Sequence, residues 1–453
     1  MTDVQSARPV LAAHSRFLSS ALLVAGLSMV TGALAVAREG VTARYFGRGD
    51  EIEAFVIGAL VPMFLINAFG NSIGAGFVPT LLRVEHDQGQ RAASDLISSF
   101  MAVLIGLVAI ATAIAAVAVP LAIPRVATGF APAKVELAQR LFFTLLPVFP
   151  IGAIGRFWLA LLNGYERFAA GVLAPAIVPA TVIAFIVAAP PDARFDALVW
   201  GVACGFVLQF LLALQLARRA GIARWPRLRV ASPNQLSVAS SQYFPQLAGI
   251  FTLMLLEVVE SAFAAPLGPG AVAGVNYASK LAVFVLGFAG SALATAVVPY
   301  YARLRSEGGG PSAPTFLRFG EVTALGVGAA MGATVAICAV PIVAFVFQGG
   351  RFDSGDTAFV ARLVTIFVLA APAYLVGVFY GRLLLVEGRS RSLLAGAALS
   401  IVCAVLCNLA LVPLLGAHAI PMATALAYVA SALWLRVRLG ACLRERHNLR
   451  KST

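Results

Sequence analysis

From its N-terminal region onward the chain alternates apolar runs of about 20 or more residues with short polar or basic breaks. Such a run is the length a helix needs to cross about 30 Å of hydrocarbon. The runs predict membrane spans at Leu18–Val36, Ala54–Leu82, Leu96–Ile123, Leu141–Leu162, Ala169–Ala189 and Ala197–Leu216. After a basic connector they resume at Tyr243–Leu267, Ala271–Ala302, Thr323–Phe347, Val360–Val386, Leu393–Leu415 and Ala419–Leu439. The pattern therefore predicts an all-α polytopic membrane protein with about twelve transmembrane helices in two groups of about six. The expected organisation is an N-terminal lobe over 1–217, a basic cytoplasmic connector over 218–235, a C-terminal lobe over 236–440 and a basic tail over 441–453.

Composition supports a bilayer as the solvent. Of 453 residues 60% are hydrophobic and 12% charged, against about 45–50% and 25% in soluble domains. A soluble fold has too much surface to hide that surplus. The net charge of +13 does not imply nucleic acid, because the basic residues sit in short segments between apolar runs, where they face anionic lipid. Arg218, Arg219, Arg224, Arg227 and Arg229 of the connector, with the tail from Arg436 to Lys451, dominate the charge asymmetry. Their placement predicts both termini on the cytoplasmic side. The first run is read as a span, since Arg38 follows without a small-residue cleavage motif. The five cysteines show neither disulfide nor zinc spacing.

The two groups carry an internal echo. "GNSIGAGFVPTLLR" from Gly70 and "GSALATAVVPYYAR" from Gly290 share small residues, a Val-Pro pair and a closing Arg. "PIGAIGRFW" from Pro150 is matched by "PAYLVGVFY" from Pro372, each followed by a loop with Gly and Arg. Two repeated lobes predict a transporter with its site between them, around a central cavity. Prolines inside spans, such as Pro62, Pro147 and Pro372, kink helices.

Ionisable residues inside spans are costly and face a bundle interior or water. Arg38, Arg44 and Glu53 lie near the ends of helices one and two, as an interfacial ion cluster or as a cavity lining. Lys280 lies near the start of helix eight. Arg156 lies well inside helix four, lining a cavity or pairing between helices. Glu257 and Glu260 share a face of helix seven; two such carboxylates repel, so one is protonated, or both meet a cation, or they pair with Arg or a hydroxyl. No phosphate-binding loop of the GxxxxGKS type is present, which argues against built-in ATP hydrolysis. An intramembrane enzyme would show large outer loops with acids or histidines; the loops are short, and only His418 lies outside a cytoplasmic segment.

"AREGVTARYFGRGDEIEAFVIGALVP", from Ala37 to Pro62, resembles the opening of the MurJ/MviN lipid II flippases. "GFVPTLLR", "GVNYASKLAVF" from Gly274, "FQGGRFDSGD" from Phe347 and "NLALVPLLGAHAIPMATALAY" from Asn408 are similar to later segments of that family or its flippase and drug-exporter superfamily. The resemblance implies a flippase rather than an enzyme, moving a polyprenyl-pyrophosphate-linked glycan precursor across the bacterial inner membrane by alternating access. It implies a role in peptidoglycan synthesis and cell shape, with membrane lipids and envelope-synthesis proteins as partners. The alternatives are export of another lipid-linked polysaccharide unit, cation-coupled drug export, and a scaffold that keeps the fold without transport.

The resemblance further implies that Arg38, Arg44, Glu53 and Lys280 meet the substrate, and Arg156 joins them on its position alone. It implies no cofactor beyond a monovalent cation, held by Glu257, Asn408 and Thr424. The departures are specific. Gly32 and Ile66–Asn67 fall where the family has arginines, Lys280 replaces an arginine, an acid near Gly70 is missing, and Asn408 and Ala404 replace cation ligands. Family members also carry a further helix pair that forms a lipid groove, where this chain has its basic tail.

Overall fold

The structure, a computed structural model, describes residues 26–227, 231–306 and 312–452. Residues 18–25 of the first expected span, and Arg229 of the connector, lie outside the described residues. Hydrocarbon offers a backbone no hydrogen-bond partners, so a spanning segment satisfies its own N–H and C=O groups as a helix. The described residues accordingly form helices, with one isolated bridge between Gly349 and Phe352 and no strand. They are α1 (26–46), α2 (Asp50–Ser72), a π-helical turn (Ile73–Phe77), α3 (Val78–Val126), α4 (Pro132–Leu145), α5 (Val148–Gly164), α6 (Phe168–Leu173), α7 (Ile177–Ala188) and α8 (Arg194–Arg219). Then follow α9 (Pro233–Ala264), α10 (Ala271–Ser306), α11 (Ser312–Ile337), α12 (Ala339–Phe347), α13 (Ser354–Leu369), α14 (Ala371–Val386), α15 (Ser390–Leu415) and α16 (Ala419–Ser452).

Among the described residues seven helical stretches are long and apolar enough to cross a membrane, or nine when each of two bent pairs is one span. Two of the seven, Asp50–Val126 and Arg391–Glu445, run to 77 and 55 residues. Each takes in two expected spans, and Gly89, with φ of 86°, breaks the first. On α3, Ile110, Ile114, Val117 and Leu121 are all exposed. They recur at helical spacing, so an entire stripe is apolar and uncovered, as a lipid-facing surface is.

The internal echo is structural. The expected fourth and tenth spans are both bent pairs, α4–α5 by 43° and α13–α14 by 42°. Within them Phe157 and Trp158 meet at 5.1 Å and 71°, and Phe379 and Tyr380 at 5.3 Å and 66°. Both helices end identically: Tyr165 N–H bonds Leu161 O, and Arg167 N–H bonds Leu162 O; Glu387 and Arg389 repeat this with Leu383 and Leu384. The left-handed residue closing each end is Glu166 (φ 59°) in the first copy and Gly388 (φ 73°) in the second. The copies differ between Gly70 and Arg83, where the first inserts the π-helical turn and the second stays within α10.

Contacts divide the chain into two units. The first comprises Met1–Arg38, Leu65–Ile114 and Leu145–Phe244. Its core stacks Phe77 on Phe100 at 3.9 Å, with Tyr243 edge-on to Phe100 at 5.2 Å. The basic connector packs on α3 of this unit: Arg224 Nη2 donates to Ser94 Oγ at 3.1 Å, and Arg227 N–H to Ser98 O at 3.1 Å. In the adjoining loop, burial and the Glu85 carboxylate push the Tyr165 phenol above its ordinary range. The second unit comprises Glu39–Phe64, Ala115–Thr144 and Pro245–Thr453. Tyr301, Phe379, Tyr380 and Leu383 belong to its buried cluster, and Tyr301 donates to Glu387 at 3.1 Å.

A left-handed backbone costs a residue with a Cβ about 1 kcal/mol or more, and glycine little. Glu166 is exposed, so Glu166→Gly is expected to raise the melting temperature of the purified protein by a few degrees in a thermal unfolding assay. Gly388→Ala is expected to lower it.

Candidate functional site

In the second unit the motif that opens the family resemblance builds a brace of charges. Glu53 is fully buried, at 0% exposure. Its Oε2 pairs with Lys134 Nζ at 2.5 Å, and its Oε1 accepts from the Val272 and Ala273 N–H groups at 2.7 and 3.3 Å. Those amides are in the first turn of α10, where unsatisfied donors and the helix dipole favour an anion. With both oxygens committed and no surface, Glu53 joins α2, α4 and α10 and presents nothing to a ligand. Lys134 also pairs with Asp50 at 2.6 Å.

Next to it, Arg48 Nε donates to Asp356 at 2.6 Å and its guanidinium lies over the Phe359 ring at 4.4 Å. Asp356 is itself part of the capping box that starts α13. Arg44 is exposed; its Nη2 donates to Phe345 O at 3.0 Å, and its own carbonyl accepts from Arg351 N–H at 2.8 Å. Arg38 is half-buried on α1, in the segment belonging to the first unit.

Lys280 on α10 pairs with Glu257 on α9, both partly exposed. An expected substrate cation and an expected cation ligand therefore neutralise each other. Thr424 reaches the other acid of the pair: its hydroxyl donates to Glu260 Oε1 at 2.8 Å, while Ser279 donates to Oε2 at 3.1 Å. Glu260, Ser279 and Thr424 thus bring oxygens from α9, α10 and α16 together. Asn408 on α15 is fully buried; its Nδ2 donates to Ala404 O at 2.8 Å, and its Oδ1 has no hydrogen-bond partner. Among the described residues no three His, Cys, Asp or Glu side chains converge on a metal position.

In the first unit a cleft of 410 Å³ lies between α5 on one side and the end of α2 with the π-helical turn on the other. Arg156, Leu159, Ala160 and Asn163 line it from α5, at the i, i+3, i+4, i+7 spacing of one helix face. Gly70, Asn71 and Gly74 line the opposite wall. Arg156 Nη2 donates to Asn67 Oδ1 at 3.0 Å. The stretch Ile66–Asn67, read as a lost arginine position, therefore has a guanidinium delivered to it from another helix.

A family model described as "Lipid II flippase MurJ" matches residues 42–447. The chain belongs to the MurJ lipid II flippase family. It is 25% identical over 351 residues to the lipid II flippase MurJ of Burkholderia cenocepacia, covering 75% of this chain and 68% of that one. A probable lipid II flippase MurJ of Vibrio cholerae serotype O1 is 24% identical over 355 residues, with 75% and 67% covered. The fold matches a solved structure of lipid II flippase MurJ in an inward closed conformation, with a TM-score of 0.76 at 17% identity over 92% of this chain and 87% of that one. It also matches an inward-facing multidrug resistance MATE transporter of the MOP superfamily, with a TM-score of 0.70 at 16% identity, covering 92% and 96%.

For a MurJ family member, two residues here carry more than the sequence suggested. Lys134 stands in an Ala- and Pro-rich stretch far along the chain from Glu53, and no local pattern marks it as a partner. Glu260 was visible as a twin of Glu257, but only packing says which twin meets Thr424. Removing one member of a buried ion pair costs about 3–5 kcal/mol. Glu53→Ala is therefore expected to lower the melting temperature steeply. Glu53→Gln, which keeps an acceptor for the α10 amides, is expected to fall between it and the unaltered protein in the same thermal assay.

Proposed function

We propose that this chain flips a polyprenyl-pyrophosphate-linked glycan precursor, lipid II or a close relative, from the cytoplasmic to the outer leaflet of a bacterial inner membrane. The family match over residues 42–447 carries the reading. No bond is made or broken: the protein binds the headgroup in each of two conformations and shifts the population between them. Arg38 and Arg44 each carry a charge that suits a diphosphate, because arginine binds phosphate oxygens bidentately and stays charged, and Lys280 would add its own on exchanging Glu257 for the substrate. Both termini face the cytoplasm in this reading, as the basic connector and tail require. Lipids and envelope-synthesis proteins are its surroundings rather than its cofactors.

Depleting the protein in its host and measuring lipid-linked precursors on each leaflet tests this. Inner-leaflet accumulation rescued by the unaltered protein, and poorly by Arg38→Ala or Lys280→Ala, is the expected result. Unchanged distributions for every precursor would exclude the flippase reading and move attention to a scaffold role.

Coupling to a monovalent cation is the second part of the proposal. The oxygens of Glu260, Thr424 and Ser279, with the orphaned Asn408 Oδ1, are the hard donors such an ion takes. They would hold it with Glu260, rather than Glu257, as the anionic ligand. Transport in proteoliposomes with and without a sodium gradient is expected to lose its ion dependence in Glu260→Gln. Equal dependence in Glu260→Gln and the unaltered protein would rule the ion site out.

A further inference from the structure

Arg156 is held in place without being neutralised. Among the described residues no carboxylate pairs with it. Its Nη2 donates to the neutral Asn67, and its Nε is buried with no hydrogen-bond partner. A guanidinium cannot shed its proton, and an unpaired charge within a membrane span is costly. Arg156 nevertheless stands on a cleft of 410 Å³ whose other polar groups include Asn71 and Asn163. The Asn163 Oδ1 is likewise buried without a partner. Arg156 and Asn163 thus stand two turns apart on the helix face that lines the cleft, each with a polar atom left unbonded.

The internal repeat supplies a control. Its two copies align Gly70 with Gly290 and Arg156 with Val378. In the first copy the Arg156 stem lies flat on Gly70, so that a methyl at 70 would come 2.7 Å from Arg156 Cβ. In the second, a methyl at Gly290 would come 3.5 Å from Val378 Cγ2. The same helix crossing is therefore built once around valine and once around arginine. Packing accepts an apolar side chain there, so the charge at 156 serves something other than holding the helices together.

We propose that Arg156, seated on Gly70 and oriented by Asn67, is an anion subsite that takes a phosphate group of a phosphorylated or pyrophosphorylated ligand. The Nη groups not given to Asn67 supply the charge-assisted donors that bind oxyanion oxygens. The amide groups of Asn71 and Asn163 line the same cleft and add donors. This rests on the anionic cargo proposed above, and its test reads binding rather than transport, so the two can fail separately.

The test titrates the full-length protein in detergent with inorganic pyrophosphate and, separately, with polyprenyl pyrophosphate, by calorimetry or thermophoresis. Arg156→Val, which installs the residue of the other copy, is expected to melt no lower than the unaltered protein. It should weaken binding by about thirtyfold, the low end of the cost of truncating a buried charge pair. Arg156→Lys should recover part of the loss, and Asn67→Arg combined with Arg156→Asn should restore binding by returning the cation across the same contact. Loss with both probes assigns the subsite to the lipid headgroup, and loss with pyrophosphate alone assigns it to a free anion. Undiminished affinity of Arg156→Val for both probes would overturn the proposal. So would a failure of Arg156→Val to fold that Arg156→Lys corrects, because the charge would then be structural.

Discussion

Hydrocarbon will not solvate a charge or an unbonded amide, and the rest of this protein follows from how it meets that constraint. Backbone groups are satisfied within helices. Side-chain charges in or at the ends of the spans need another solution, and three among the described residues contrast. Glu53 is buried completely and saturated by Lys134 and the first turn of α10. Lys280 and Glu257 neutralise each other at a partly exposed position. Arg156 is oriented by an amide and left charged. The first is architecture, the second is partly exposed, and the third keeps its charge on the wall of a cleft.

The brace around Glu53 shows why a resemblance to functional residues has to be read through geometry. The stretch from Ala37 to Pro62 is rich in charges near the ends of two helices, where a headgroup site and an interfacial ion cluster look alike. In the structure Arg48 ties the α1–α2 turn to α13, and Glu53 ties α2 to α4 and α10. The helix N-terminus decides the matter for Glu53, because its amides and Lys134 leave the carboxylate no free oxygen. Arg44, by contrast, keeps an exposed side chain.

The internal echo gives this fold two versions of one packing problem. The bent helices α4–α5 and α13–α14 share an angle, an aromatic pair and a C-terminal hydrogen-bond pattern. Against that shared background the differences stand out: the π-helical turn before Val78, glutamate in place of glycine at the left-handed position 166, and arginine in place of valine at 156. A π-helical turn inside a helix is rare and is frequently found at functional sites. Here it forms one wall of the cleft that Arg156 enters.

Most of the fold was legible in the sequence, because run length is a one-dimensional consequence of a bilayer. The apolar runs located the helices, and the echoes from Gly70 and Pro150 located the repeat. The exposed stripe on α3 and the two bends lie where those runs and prolines put them. The candidate site was legible only as a set of charged residues. Whether Glu257 or Glu260 meets Thr424, and whether Glu53 is free or saturated, depends on side chains many residues apart arriving at one place. Those distances are set by helix packing, which leaves no mark on local pattern. Arg156 lies between the two cases. Its cost was readable from its position within a span, but that no carboxylate among the described residues pairs with it, and that it rests on Gly70, were decided by the tertiary structure alone.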